Sequence, residues 1–379
     1  MFHVKQALLF ALLLVAGGAA CVPLALPEGW AGPGLGADGL YLAAKGGPLV
    51  ALSAVDGTKR WRFPPEGSDR KLGPVYASPL VVEGIVYVGT YTGYVYALEA
   101  ETGALRWQFP SAEKPAGAAV VASPVLSGSR LYFTDTNGNL FVCDAATGTP
   151  CAPHPFKADD GIWGGPTLHP SERTVYVASL DRHLYAVDLD TGAKRWAFKA
   201  DGALVGRPAI TGGVVFVGGL DRVLYAIHAG SGELIWRSAP FAGWLWAAPL
   251  ATSERVYAAD LKGEVRAFDL RRGEMLWETR LDADLRGVDR AGEVVTTPRL
   301  AGDLLLVATS PGRVHGLNPA SGAPVWAQPF TTADGGPLRG ELAVGGGLAF
   351  VYGPKGTLDA LDLATGRPSR PPVHVPAAQ

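Results

Sequence analysis

Along the chain, short runs of β-branched and aromatic residues alternate with smaller or polar ones. Val86-Tyr87-Val88-Gly89, Leu131-Tyr132-Phe133-Thr134, Val175-Tyr176-Val177-Ala178, Val215-Phe216-Val217-Gly218 and Val256-Tyr257-Ala258-Ala259 are examples. A period of two with such residues predicts half-buried strands, with side chains alternating between two faces. Turn signals such as Thr92-Gly93, Asn137-Gly138 and Lys262-Gly263 follow the runs. Each leads into a second segment of strand character, so the local prediction is a series of hairpins.

The second segments repeat. Tyr96–Trp107 reads YALEAETGALRW and Tyr185–Trp196 reads YAVDLDTGAKRW. Aligned on their glycine, eight copies appear, with Gly at 57, 103, 148, 192, 232, 273, 322 and 366, a spacing of 40 to 49 residues. Upstream, Ala77–Pro79, Ala122–Pro124, Gly164–Pro166, Gly206–Pro208, Ala247–Pro249 and Thr296–Pro298 open successive units. Each unit therefore holds four short strands, the last ending in Trp. Four antiparallel strands repeated at this period predict a propeller blade, and eight repeats predict an all-β, eight-bladed β-propeller forming one domain over residues 30–379.

Within the repeat, Leu52, Leu98, Cys143, Val187, Ile227, Phe268, Leu317 and Leu361 share one strand position, which must face the core. The following Asp144, Asp188, Asp269, Asn318 and Asp362 can accept hydrogen bonds from the amides of the next turn. The Gly supplies positive φ at no steric cost, and the Trp four residues on is large enough to fill the wedge between diverging blades. The eighth unit has Arg370 in place of Trp, with Pro368, Pro371 and Pro372 around it. Such a segment makes a poor ladder partner, so Val22–Leu26 is expected to supply that edge and close the ring.

Composition adds limits. The 379 residues include 50 Gly and 30 Pro, as many tight turns require, and the net charge of −2 provides no basic face for nucleic acid. Met1–Gln6 carries one Lys, Ala7–Val15 is apolar throughout, and Gly17–Ala20 leads into Cys21. Residues 1–20 read as an export signal. Cys21 stands where a lipidated cysteine would, with Gly18 in place of the usual Leu three residues earlier; cleavage after Ala20 without lipidation is the alternative. Residues 21–29 would then be a lipid-anchored segment, placing the chain at the extracytoplasmic face of the cell envelope. Cys143 and Cys151 are close enough in sequence for a hairpin disulfide, although Pro150 disturbs the register; two inert thiols are the other reading.

Few patterns carry chemistry. Gly34-Leu35-Gly36-Ala37-Asp38-Gly39 matches a dinucleotide fingerprint but lacks the strand-to-helix context and reads as a blade turn. Asp188-Leu189-Asp190-Thr191-Gly192 faintly resembles a calcium loop, yet it is the repeat's own turn. His154, His169, His183, His228 and His315 are scattered over several units, and His183 and His228 read as packing or surface residues. No catalytic or metal-ligating set emerges. Around the mouth, Trp30, Tyr76, Trp163 and Trp246, with Arg339, fall near a common repeat position, and Arg207 replaces the small residue before its Pro. They are candidates for a binding mouth suited to peptide or sugar, packing between innermost strands being the commoner explanation. The charged connection Asp282–Gly292 is expected to be exposed and is a candidate for partner contacts.

The tandem Asp-x-x-Thr-Gly-x-x-x-Trp pattern with its upstream Ser-Pro resembles the repeat of the pyrroloquinoline-quinone-type propeller superfamily, from about Trp30 to Arg370. That superfamily includes both dehydrogenases and non-catalytic proteins. Its dehydrogenases usually carry a vicinal cysteine pair, calcium-binding acids and a longer chain, and this sequence has no vicinal cysteine pair, no C-x-x-C-H haem site and no long roof loops. The resemblance therefore implies neither quinone nor calcium here. It is greatest to the propeller lipoproteins of the outer-membrane β-barrel assembly machinery, and implies a non-catalytic scaffold with protein partners. An envelope sensor or ligand-binding propeller is the alternative reading, and a quinone-dependent dehydrogenase the enzyme alternative.

Overall fold

A computed structural model describes residues 29–37, 39–44, 46–111, 118–151, 156–285, 292–310 and 312–375. Eight four-stranded antiparallel sheets, each formed from consecutive strands, follow one another along the chain, and no helix occurs among the described residues. Blade two shows the plan. Leu80–Val82 is innermost, followed outward by Ile85–Gly89, Val95–Glu99 and Leu105–Phe109. The fold is the predicted eight-bladed β-propeller.

The repeated apolar position faces the core as expected: Leu52, Leu98, Cys143, Val187, Ile227, Phe268, Leu317 and Leu361 are all buried. The turn acids behave as their spacing predicts. Asp144 Oδ1 accepts from the amides of Ala146 and Thr147 at 3.1 and 2.9 Å, and Asp188, Asp269, Asn318 and Asp362 do the same in their own blades. Asp188 is further engaged by Arg195, so the calcium-like spacing serves a turn and an ion pair. Gly34–Leu35 pairs with Leu40 and Tyr41 in a hairpin, the context expected of a blade turn.

The blades are joined by a contact that recurs around the ring. Trp61 Nε1 donates to the carbonyl of Ala100 in the next blade at 2.9 Å. Trp107, Trp196, Trp236, Trp277 and Trp326 donate in the same way to Ala145, Ala229, Leu270, Pro319 and Leu363. Every acceptor lies three residues before the next blade's turn glycine. That glycine is required twice over. Gly103 has φ +73, and a Cβ on it would fall 2.6 Å from the Trp61 ring. Tyr41, Tyr87, Tyr176 and Tyr257 hydroxyls bond the same carbonyls, so each is saturated by two donors.

Two units lack the Trp, and arginines make the bond instead. Arg130 Nη1 donates to Leu189 O at 3.2 Å between blades three and four. Arg370 Nη1 donates to Ala54 O at 3.1 Å, where blade eight meets blade one, and its guanidinium lies 5.8 Å from the Phe350 ring centroid. Both acceptors lie three residues before their turn glycines, Gly192 and Gly57.

The missing edge of blade eight is supplied locally. Val373–His374 pairs with Thr357 and Leu358, completing four strands beyond the prolines. The position foreseen for Val22–Leu26 is therefore taken, and Val22–Leu26 itself lies outside the described residues. Packing of Leu40, Leu42, Val50 and Leu52 against Phe350, Leu358 and Val375 closes the ring. Cys143 and Cys151 are free thiols. Pro150 stands opposite Cys143, while Cys151 bonds Val142 through its amide, so the register sets them one position out of step. Burial raises the Cys143 thiol to about 12, as for an inert core residue.

Two outcomes are expected. Trp107→Ala should cost about 3–5 kcal/mol and Arg370→Ala about 1–3 kcal/mol in urea unfolding. A cost near zero for Arg370→Ala would remove it as the closing donor. Asp359 is buried in blade eight, and desolvation, reinforced by Asp334, raises its carboxyl to about 6, despite a bond from Ala333 N at 3.2 Å. A raised folded pKa means the native state holds the proton longer, so stability falls as pH rises from about 4 to 6 and then levels. Asp359→Asn should therefore be more stable than the parent by about 1–2 kcal/mol at pH 7.5 and equal to it near pH 3.5, measured by urea unfolding at both pH values.

Candidate functional site

The opening of each unit sets the channel. Trp30, Tyr76, Val121, Trp163, Val205, Trp246 and Val295 each precede a proline by three residues, and Arg339 holds the matching place in blade eight. All eight line a single cavity of about 380 Å3 at one end of the channel. The six candidates from the sequence, Trp30, Tyr76, Trp163, Arg207, Trp246 and Arg339, are thus brought together, and Trp30 matches the repeat position as closely as the others. Inner strands meet too tightly here for larger side chains: a Cβ on Gly164 would sit 2.7 Å from Arg207 N.

The mouth is aromatic and cationic. Trp30 and Tyr76 meet edge-to-face with centroids 4.3 Å apart, and Tyr91 lies 5.3 Å from Tyr76. The Arg339 guanidinium lies 5.2 Å from the Trp30 ring centroid, a distance at which the ring's negative face attracts it. Trp163 and Trp246 pack partly against Leu180, Ala203 and Val205, so the collar also serves as packing, while its residues remain half-buried and open to the cavity.

One step farther in, the residue before each proline forms the next level: Gly32, Ser78, Ser123, Gly165, Arg207, Ala248 and Thr297, with Glu341 at the equivalent place in blade eight. Only Arg207 and Glu341 are charged. Arg207 Nε donates to Thr167 Oγ1 at 3.3 Å, and Thr167 Oγ1 donates to Pro208 O at 2.6 Å. Burial lowers Arg207 to about 10, an effect that Glu341 opposes and Arg299 adds to. Glu341 Oε1 accepts from the amide and hydroxyl of Thr297 at 3.1 and 2.8 Å, and its Oε2 lies 3.7 Å from Arg299. Beyond this level, a second cavity of about 440 Å3 is walled by Leu80, Val125, Leu126 and Leu168. Arg207 lines both cavities and so stands at the boundary between them.

Tyr91, Arg299 and Glu341 were not among the candidates from the sequence. Unit eight reads Gly340-Glu341-Leu342, without the proline that marks other openings, which hides Glu341 from a search by motif. Aligning backward from the turn glycines would have exposed it. Cys21 lies outside the described residues, as does His154. Asp282 departs from the expectation of an exposed loop: it is buried, accepting from Thr309 Oγ1 at 2.6 Å and Arg313 Nη1 at 3.0 Å, with His315 Nε2 at 3.1 Å. Residues 286–291 of that connection lie outside the described residues.

The outer edges of the blades also differ from copy to copy. In blades one, two and four a bulge just before the Trp extrudes Arg60, Arg106 or Arg195. In blades five and six the same bulge extrudes Ile235 and Leu276. Together with Leu234 and Met275 they are 43–54% exposed.

Ring, turns and mouth define an eight-bladed propeller of the pyrroloquinoline-quinone-type class. A family model described as outer membrane protein assembly factor BamB matches residues 22–161, 157–314 and 310–369, and the chain belongs to that family. Among curated relatives, the BamB of Bordetella pertussis strain Tohama I is 28% identical over 233 residues, 59% of each chain. That of Burkholderia pseudomallei strain K96243 is 26% identical over 258 residues, 65% of this chain and 63% of that one. The chain thus spans about three fifths of the length of these relatives. Among solved structures, BamB from Moraxella catarrhalis superimposes with a TM-score of 0.67 at 20% identity, over 84% of this chain and 92% of that one. A computationally designed protein, Ika8, gives 0.71 at 15% identity, over 88% and 98%. These likenesses concern the fold, which natural and designed sequences share.

Proposed function

We propose that the chain is a non-catalytic scaffold of the cell envelope that binds a protein partner, in the manner of an outer-membrane assembly factor. The observation that carries this reading is the apolar outer edge of blades five and six. An outermost strand presents unpaired amides and carbonyls, and natural proteins usually guard such an edge with bulges and charge. Blades one, two and four do so with arginines, of which Arg106 pairs with Glu99 and Arg195 with Asp188. Blades five and six keep the bulge but replace the guard with Ile235 and Leu276, flanked by Leu234 and Met275. In the same region His228 stands where most other copies place Asp or Asn, so that edge also lacks the carboxylate. Two adjacent apolar edges suit an extended segment of another protein, held by backbone pairing and side-chain burial. Membership in the BamB family supports the β-barrel assembly machinery as the source of that partner. Cys21 is proposed as the lipid anchor that would hold the scaffold at the membrane.

The double variants Leu234→Lys/Ile235→Arg and Met275→Lys/Leu276→Arg restore the guard of blade four. Pull-down from solubilised envelope should recover outer-membrane assembly components with the parent chain and at least several-fold less with either variant. Failure of the parent to recover any such component, or undiminished recovery by both variants, would reject the reading. Cys21→Ala should move the protein from the membrane fraction to the soluble envelope fraction; retention in the membrane would dismiss lipidation as the anchor.

A further inference from the structure

Arg207 and Glu341 share one level of the channel, at a repeat position where the other six copies carry Gly, Ser, Ala or Thr. A ring that needed only to pack would place small residues there eight times. The guanidinium has five N–H donors, and one of them, on Nε, is used by Thr167 Oγ1. Among the described residues no carboxylate forms an ion pair with it; Glu341 acts on it only at longer range. Glu341 is turned toward Thr297 and Arg299, and its buried Oε2 accepts no hydrogen bond. Arg207 is half-buried between the two cavities, burial lowers its pKa to about 10, and an anion at its Nη atoms would offset that effect.

The approach to Arg207 is specific. A molecule entering the mouth passes the indole rings of Trp30, Trp163 and Trp246 before it reaches the guanidinium. Indole faces favour flat apolar groups, and the planar fork of an arginine matches the two oxygens of a carboxylate. Arg207, Arg299 and Arg339 outnumber Glu341 among the charged groups lining the cavity, so its potential favours an anion. A cavity of about 380 Å3 has room for a small ligand and excludes a folded domain.

We propose that the channel mouth binds a small organic carboxylate bearing a planar apolar group, with the carboxylate on the Nη atoms of Arg207 and the ring among Trp30, Trp163 and Trp246. Glu341, whose Oε2 lies 3.7 Å from Arg299, disfavours additional negative charge in the site. An N-acyl aromatic amino acid supplies both features, carboxylate and ring. This site is separate from the blade edges, so it stands or falls independently of partner capture.

The test is a titration of the full chain with N-acetylphenylalanine and, separately, its neutral amide, followed by tryptophan fluorescence and calorimetry. The acid should bind in the micromolar to millimolar range and about 10-fold more tightly than the amide. Arg207→Gln should reduce the acid to the level of the amide. Glu341→Gln, which removes the opposing charge, should tighten the acid several-fold, a gain that a misfolded variant could not show. Arg195→Gln, on an outer edge, should change nothing. Equal binding of acid and amide, no binding of either at millimolar concentration, or unchanged affinity in Arg207→Gln would each overturn the proposal.

Discussion

A propeller stands or falls on how one blade is fixed to the next, and here that is a single recurrent hydrogen bond over a stacked ring. A side-chain N–H of one blade reaches the carbonyl three residues before the turn glycine of the next. Six times the donor is Trp and twice it is Arg. Sheets twist, so radially arranged blades diverge outward, and the widening gap must be filled by something large that also satisfies a buried carbonyl. Trp does both. Arginine, long and planar, bridges the same gap, and at Arg370 it also lies close to an aromatic ring.

That constraint leaves the rest of each repeat free to vary in two places, the inner rim and the outer edge. Along the inner rim most copies hold small residues because neighbouring strands approach closely; Arg207 and Glu341 are the exceptions, and they set the charge of the channel. At the outer edge, in the two residues before the Trp or its equivalent, most copies keep charge or proline, and blades five and six carry Ile235 and Leu276 there. In a repeat protein the sister copies serve as an internal reference for what structure alone demands. Departures from it are the places where a further demand has acted.

The two departures have different chemistry. The edge of blades five and six is apolar, extended and bordered by unpaired backbone, and it suits a chain. The channel mouth is enclosed, aromatic and cationic, and it suits a small anion. Nothing in the packing ties them together: Ile235 and Leu276 lie on outermost strands, whereas Arg207 lies beside the axis.

Blade number, strand order, turn glycines, buried third-strand positions and turn acids were all legible in the sequence, because each is a local requirement repeated eight times. The same repetition made Trp30, Tyr76, Trp163, Arg207, Trp246 and Arg339 recognisable as occupants of related positions. Their convergence on one cavity required the ring to close. Glu341 was hidden by the loss of a proline, Arg130 and Arg370 by a change of residue type at an unchanged task, and Val373–His374 by prolines that argued against a strand. Cys143 and Cys151 looked pairable until the register placed Pro150 opposite Cys143. In each of these cases the deciding quantity was a distance between residues far apart in sequence, or a register across a ladder. A linear pattern records what each residue is and how often it recurs; which atoms meet across blades is settled only when eight sheets share one axis.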